Sequence, residues 1–258
     1  MLDAFGCDGA LKRAVGGEGR TWRCGDVAFK PADDPEQATW VATVLSTAVF
    51  RDVVVPSPRR SRDGRWVVAG WAATQWVDAR HERGRWEQVI AAGRAFHRAL
   101  TEVRRPSWMD RATDWWRRAD QVAWGGREPT GHPDLVALVD RLLRLREPID
   151  LDEQLVHGDL CGNVLFCGRD LPVVIDFSPY WRPVEWASAV VVVDAFEWEG
   201  AGPQALEWLR RVPEAHQLLL RAAIYRIATS AEVAMTQGLD ERKLGVHRRT
   251  VEALESRA

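Results

Sequence analysis

The stretch that decides the fold is residues 154–178, which read QLVHGDLCGNVLFCGRDLPVVIDFS. Two short apolar runs, residues 164–166 and 172–175, flank a turn that contains glycine and aspartate. Apolar runs of this length on either side of such a turn predict a β-hairpin.

Three polar side chains lie at one end of this hairpin. Asp159 and Asn163 precede the first strand, and Asp176 ends the second. Phosphoryl transfer needs a carboxylate that orients and deprotonates the accepting hydroxyl, and hard oxygen ligands for Mg²⁺. We predict Asp159 as the base, Asn163 and Asp176 as the metal ligands, and His157 as a brace for the loop. The alternative is a His-Gly-Asp turn in which the aspartate only caps its own backbone.

The order of these residues resembles the catalytic and metal-binding loops of the aminoglycoside phosphotransferase-like kinases, which are relatives of the protein kinases. The segments that carry the resemblance are His157-Gly158-Asp159-Leu160, Asn163-Val164-Leu165 and Ile175-Asp176-Phe177. The resemblance implies an α+β, two-lobed protein-kinase-like fold. Its small N-lobe is mainly antiparallel β with one helix, and its larger, mainly α C-lobe carries the catalytic hairpin. It also implies ATP and Mg²⁺ as cofactors and a small-molecule hydroxyl acceptor.

The chain departs from the family pattern in the catalytic loop. Asn163 follows Asp159 by four residues, one fewer than is usual in the family. The glycine-rich segment also lacks a complete Gly-x-Gly-x-x-Gly. These departures favour a second hypothesis, a catalytically inactive kinase-fold protein that binds nucleotide or serves as a scaffold. Transfer of a nucleotidyl group is a third, weaker alternative.

Glycines and a lysine near the N-terminus predict the nucleotide site. Gly17 and Gly19 belong to a turn whose backbone amides can approach phosphates. Lys30 ends an apolar strand, residues 27–30, and resembles the lysine that contacts the α- and β-phosphates in kinases. Glu36 begins the next helix and is the acidic candidate to pair with Lys30. Its alternative role is to complement the helix dipole.

A change from strand to helix periodicity predicts the boundary between the lobes. Residues 1–77 are expected to form the nucleotide-binding lobe, and residues 78–258 the helical lobe with the catalytic and metal loops. Gln75 and Val77 would lie in the hinge, where backbone groups pair with the adenine edge. Helices are predicted over residues 34–45, 86–100, 110–124, 135–145, 185–198, 204–211, 214–235 and 241–254. The valine run at 190–193 also suits a strand. A short strand is predicted over residues 53–56.

Composition and charge exclude several classes of protein. The 258 residues are 46% hydrophobic and carry a formal net charge of -2, so no global basic field attracts nucleic acid or an anionic membrane. The longest aliphatic run, residues 189–193, is too short to span a bilayer. We find no signal-peptide pattern, and the four cysteines lack zinc-site spacing. We therefore expect a cytoplasmic protein with reduced thiols. Nothing in the sequence predicts the oligomeric state.

Acidic residues follow Asp176 in the predicted helix and the turn after it. These are Glu185, Asp194, Glu197 and Glu199. An aminoglycoside acceptor is a cation and usually binds an acidic rim, but solvent-facing helix surfaces are also acidic. These residues therefore do not select one class of acceptor. Asp194 lies within an apolar run, where it either braces the catalytic loop or faces water.

Overall fold

The computed structural model describes residues 1–14, 19–111, 113–168 and 170–257. Strands dominate the first third of the chain and helices the rest. The α-helices are α1 (Pro35–Thr47), α2 (Trp86–Arg98), α3 (Trp115–Trp124), α4 (Pro133–Leu143), α5 (Val184–Trp198), α6 (Ala215–Gln237) and α7 (Glu241–Glu255). The strands are β1 (Lys12–Arg13), β2 (Trp22–Cys24), β3 (Val27–Pro31), β4 (Pro58–Arg59), β5 (Val67–Val68), β6 (Trp71–Gln75), β7 (Gln154–His157), β8 (Val164–Leu165), β9 (Val173–Val174) and β10 (Pro179–Arg182).

The N-terminal sheet is antiparallel, with the order β1-β2-β3-β6-β4 and β5 paired to β6. Its longest pairing joins β3 to β6, with Lys30 opposite Ala72. Phe5, Val27 and Phe29 are buried in a small core on one side of the sheet. Since successive side chains of a strand point to opposite faces, burial of Val27 and Phe29 directs Lys30 away from that core.

Helix α1 begins where the sequence predicts. The side chain of Asp34 accepts hydrogen bonds from the amides of Glu36 and Gln37 at 2.9 and 3.0 Å, and Pro35 occupies the first helical position. A carboxylate cap followed by proline satisfies the free amides at a helix N-terminus.

The C-terminal helices form the larger core. Helix α6 packs against α3, α4, α5 and α7. The valines at 190–193 are fully buried inside α5, so the helix prediction is confirmed and the strand alternative is wrong. A helix that is buried on nearly all sides needs no polar face, which explains why its sequence lacks a clear helical stripe.

Three predicted elements differ from the structure. Residues 53–56 do not form a regular strand, and Val54 makes only an isolated bridge to Val173. The helix expected from residue 110 is a 3-10 turn, Ser107–Asp110, followed by α3, because Asp114 caps α3 through the amide of Arg117 at 3.0 Å. The helix expected at 204–211 is the 3-10 segment Pro203–Glu207.

Two short antiparallel pairs connect the sheet to the helices. Strands β8 and β9 form the predicted hairpin, and β7 pairs with β10. Val54 bridges to β9, and Arg80 bridges to Phe166 just after β8. These contacts fix the hairpin beside the N-terminal sheet. None of the helices in the described part of the chain combines the length and apolarity that crossing a bilayer requires.

Candidate active site

The hairpin brings Asn163 and Asp176 to adjacent positions on its two arms. Val164 pairs with Val174, and the amide of Ile175 donates to the carbonyl of Asn163 at 2.9 Å. Hydrogen bonding between the two arms therefore continues to Ile175, the residue just before Asp176. Asp176 has a φ of 53°, a left-handed conformation that is uncommon outside glycine and often occurs at functional sites.

The short loop between Asp159 and Asn163 folds as a tight turn. The amides of Asn163 and Val164 both donate to the carbonyl of Leu160 at 3.0 Å. The side-chain amide of Asn163 reaches back to Asp159, donating to its carbonyl at 2.8 Å and to its Oδ2 at 3.0 Å. A spacing of four residues thus keeps the two side chains in contact, as it does across one helical turn.

Two buried histidines, His97 and His157, hold this loop in place through hydrogen bonds to its backbone. The amide of Asp159 donates to Nδ1 of His157 at 3.2 Å, and Nε2 of His157 contacts the carbonyl of Ile175 at 3.1 Å. The amide of His157 donates to Nε2 of His97 at 2.9 Å. Burial lowers the pKa of both histidines, that of His97 to about 3. Both rings are therefore neutral, and His157 ties the loop to the arm that ends at Asp176.

Lys30 faces the hairpin from β3. Its ammonium group forms an ion pair with Oδ1 of Asp176. Both side chains remain about one-third exposed, at 39% and 33%. The structure thus brings the predicted phosphate-binding lysine together with the predicted metal-binding aspartate.

Glu36 does not pair with Lys30. Its carboxylate instead accepts two hydrogen bonds from Nη2 of Arg111, at 2.9 and 2.8 Å. Arg111 lies just after the 3-10 turn at Ser107–Asp110, which packs beside α1. The sequence suggested Lys30 as the partner of Glu36 because the two residues are close in the chain. In the fold, Arg111 is the cation that lies next to Glu36.

The remaining nucleotide-site predictions lie along the sheet. Gly17 is outside the described residues. Gly19 has a φ of 66°, and its carbonyl accepts from Nε of Arg13 at 2.6 Å. Gln75 is exposed at the end of β6. Val77 follows it and makes no backbone hydrogen bond to another described residue, so its amide and carbonyl are free for a ligand.

Arg226 of α6 holds the other carboxylate oxygen of Asp159. Its Nη2 donates to Asp159 Oδ1 at 2.7 Å, and its guanidinium also binds both oxygens of Asp194, at 2.7 and 2.5 Å. This residue was not predicted from the sequence. The available signal was one arginine within an apolar helix, between Tyr225 and Ile227. Asp194 therefore reaches the catalytic loop through Arg226 and does not face water.

Arg226 places a fixed positive charge between Asp159 and Asp194. Burial raises the pKa of Asp194 to about 6, although the ion pair with Arg226 opposes that shift. Burial also disfavours the charge of Arg226, but Asp194 and Asp159 outweigh it and hold the pKa of Arg226 well above its ordinary value. At neutral pH the arginine is therefore a cation between two carboxylates.

The oxygen donors of Asn163 and Asp176 fit Mg²⁺. Among the residues that the structure describes, no group of three or more His, Cys, Asp and Glu side chains could hold a metal. Kinase sites, however, bind Mg²⁺ through one or two protein oxygens, with water and phosphate completing the shell. The amide nitrogen of Asn163 faces Asp159, which leaves its oxygen without a described hydrogen-bond donor. A carboxylate and an amide oxygen are the hard ligands that this ion prefers.

Comparison with solved structures identifies the fold. Spectinomycin phosphotransferase APH(9)-Ia, in complex with ADP and spectinomycin, is 12% identical with a TM-score of 0.59, over 99% of this chain and 95% of that one. An apo thermostable mutant of aminoglycoside phosphotransferase APH(4)-Ia is 15% identical with a TM-score of 0.62, over 100% and 98%. A choline/ethanolamine kinase family protein from Mesorhizobium loti is 16% identical with a TM-score of 0.60, over 97% and 90%. The predicted two-lobed protein-kinase-like fold is confirmed.

The family follows from the sequence itself. Residues 12–180 match the phosphotransferase enzyme family, and the chain belongs to that family. No curated protein matches the sequence at a significant level.

Proposed function

We propose that this chain transfers the γ-phosphoryl group of ATP to a hydroxyl group of a small molecule. The observation that carries the proposal is the convergence of Lys30 and Asp176 at the hairpin end where Asn163 contacts Asp159. Membership of the phosphotransferase family supports it. Structural neighbours crystallised with ADP and AMP-PNP support a nucleotide as the donor.

The N-terminal part of the chain would bind the nucleotide. In this proposal Lys30 neutralises the phosphates, and the backbone around Gly17 and Gly19 approaches them. The free backbone of Val77, next to Gln75, pairs with the adenine edge. In this proposal the phosphates lie between Lys30 and Asp176, so nucleotide binding opens the ion pair between these two side chains.

The hairpin and its supports would carry the chemistry. Asp159 orients the acceptor hydroxyl and takes its proton. His157 holds the backbone of Asp159 through its amide, and Arg226 holds its carboxylate. Asn163 and Asp176 would hold Mg²⁺, which neutralises charge on the phosphate oxygens.

The acceptor would not need to be a cation. Each acidic residue considered for an aminoglycoside rim already has a partner within the protein. Glu185 pairs with Arg94, Asp194 with Arg226, Glu197 with His247, and Glu199 with His81. Spectinomycin and hygromycin B, which neighbours bind, are thus poor guides to this substrate. We propose a hydroxyl compound that does not depend on an acidic rim.

We also propose the lobe boundary near residue 77. The sheet ends at Gln75 and the next helix begins at Trp86, so residues 1–77 would form the nucleotide lobe and residues 78–258 the helical lobe. Cytoplasmic location stays a prediction.

ATP binding and turnover test the proposal. Mg-ATP should raise the melting temperature in a concentration-dependent way, since a ligand of the folded state stabilises it. Wild type should hydrolyse ATP slowly, and Asp159→Asn should reduce that rate by about 100-fold or more while keeping the thermal shift. Asp170→Asn, an exposed aspartate in the hairpin turn, is the matched control and should behave as wild type.

A scaffold that binds nucleotide is the second candidate. It is favoured by one observation: both oxygens of Asp159 are already engaged, by Arg226 and Asn163. A thermal shift without any turnover, across a panel of hydroxyl compounds, would support this candidate. Absence of both the shift and the turnover would contradict both functions.

A further inference from the structure

A cavity lies beside β10, and neither Lys30 nor Asp176 lines it. Its volume is about 160 Å³. That is room for roughly five water molecules at about 30 Å³ each, or for one small oxyanion. Its charged lining residues are Arg105, Asp110, Arg117, Asp120 and Arg182.

Two of the three arginines in this cavity are already neutralised. Arg182 donates to both oxygens of Asp120, at 2.9 and 2.6 Å. Arg105 forms an ion pair with Asp110 at 2.6 Å. The two lining carboxylates are thereby engaged, and Arg182 also pairs with Glu153 at 3.4 Å. Among the lining residues alone, one positive charge, that of Arg117, is left over.

Arg117 is buried, and its charge acts on the nearby carboxylate of Asp120 without forming an ion pair with it. The residue is only 9% exposed, and its guanidinium makes no hydrogen bond or ion pair to any residue that the structure describes. It lies over the ring of Tyr180, 4.2 Å from the centroid, and 5.6 Å from that of Trp108. Aromatic faces compensate a buried cation only in part. The guanidinium nitrogens keep access to the cavity, and a guanidinium with free donors that lines a cavity suits an anion.

We propose that this cavity is a binding site for a small oxyanion, either phosphate or the phosphate group of a metabolite, with Arg117 as its principal ligand. Guanidinium groups bind phosphate through paired hydrogen bonds, and Arg105 and Arg182 line the same cavity. The site is separate from the proposed nucleotide-binding residues, none of which lines this cavity. It is nevertheless connected to the catalytic loop, because Gly158, next to Asp159, packs against the ring of Tyr180 on which Arg117 lies.

Calorimetric titration of the full chain with inorganic phosphate, at constant ionic strength, tests the site. Wild type should bind one phosphate, and Arg117→Gln should weaken the affinity by about tenfold or more because it removes a charged donor. Arg98→Gln is the matched control. Arg98 is an exposed arginine paired with Asp52, and its loss should leave phosphate binding unchanged.

Two further variants keep the test decisive. Asp110→Asn removes an exposed carboxylate that occupies Arg105, so phosphate affinity should rise severalfold even if Arg117→Gln fails to fold. Lys30→Met should leave phosphate affinity unchanged. The proposal is overturned if Arg117→Gln binds as wild type does, if Asp110→Asn does not bind more tightly, or if Lys30→Met abolishes binding. No binding by wild type up to about 10 mM phosphate also overturns it.

Glycerol 3-phosphate distinguishes the two sources of the anion. If it binds at least as tightly as inorganic phosphate and its binding depends on Arg117, the site takes the phosphate group of a larger molecule. If it binds more weakly, the site takes free phosphate. Either result supports the site, whereas glycerol 3-phosphate binding that is indifferent to both Arg117→Gln and Asp110→Asn contradicts it.

Discussion

At the scale of single residues, Arg226 joins Asp159 to the carboxylate of Asp194, which is only 5% exposed. Removing one partner of a buried ion pair leaves the other charge uncompensated, at a cost of about 3 kcal/mol or more. Arg226→Met should therefore lower the free energy of unfolding by about that amount. Urea denaturation measures it.

The double variant Arg226→Met/Asp194→Leu separates stability from activity. It should recover most of the lost stability, because no unpaired buried charge remains. It should not recover ATP turnover, because Asp159 still lacks its guanidinium donor. Arg141→Met is the control. Its pair with Glu255 is about one-third exposed on each side, so its loss should cost about 1 kcal/mol or less. Equal costs for Arg226→Met and Arg141→Met would contradict this account.

His97 makes the stability of the protein depend on pH. Burial, with a smaller contribution from neighbouring His157, lowers its pKa from 6.5 to about 3. Between these values the unfolded chain binds a proton that the folded protein does not. Stability should therefore fall as the pH falls through this window, by up to about 1.4 kcal/mol per pH unit. Urea denaturation between pH 4 and 7 measures the slope.

The titration of Asp194 has the opposite effect on stability over part of this pH range. Its raised pKa, about 6 against 3.8, means that the folded state holds a proton that the unfolded chain has lost. The variant His97→Gln separates the two groups, since glutamine keeps an acceptor for the amide of His157 but does not titrate. Between pH 4 and 6.5 it should lose less stability than wild type on acidification. Parallel curves for the two proteins would rule out His97 as the cause.

At the scale of elements, replacing each of two helix glycines by alanine should change the free energy of unfolding in opposite directions. Gly93 of α2 packs against the buried Leu160 of the catalytic loop, where an added Cβ would overlap a methyl group. Gly245 of α7 has only the tip of Arg249, 4.0 Å away, beside its missing Cβ. Alanine favours a helix by about 1 kcal/mol over glycine, and overpacking costs about 1–3 kcal/mol.

Gly245→Ala should therefore stabilise the protein by up to about 1 kcal/mol, and Gly93→Ala should destabilise it and slow ATP turnover. Melting temperature and hydrolysis rate measure the two effects. If Gly93→Ala is as stable and as active as wild type, α2 does not position the catalytic loop.

Elements with local signals were predictable from the sequence. Residues close together in sequence determine the Asp34 cap, the apolar arms of the hairpin and the length of α6. The start of α3 was missed because Asp110 and Asp114 are both residues of the type that caps helices, and the structure uses Asp114. Arg226 was missed for a different reason. It lies 67 residues from Asp159 in sequence, and only packing of α6 brings the two together.

At the scale of the whole molecule, two ion pairs connect distant parts of the chain. Lys30 joins the sheet to the hairpin, and Glu36 joins α1 to Arg111. The spacing between the glycine-rich turn and Lys30 predicted the role of this lysine. No sequence rule, however, predicted whether Glu36 would pair with Lys30 or with Arg111. The choice depends on where the turn at Ser107–Asp110 packs, which is a tertiary property.

The two pairs should therefore differ in their effect on nucleotide binding. Lys30→Met and Glu36→Gln should each change the free energy of unfolding by about 1 kcal/mol or less, because both pairs are exposed. Only Lys30→Met should abolish the rise in melting temperature that Mg-ATP causes, since only Lys30 faces the hairpin. Scanning fluorimetry across an ATP series measures both. If Glu36→Gln also loses the rise, α1 must move when nucleotide binds, exchanging Arg111 for Lys30 as the partner of Glu36.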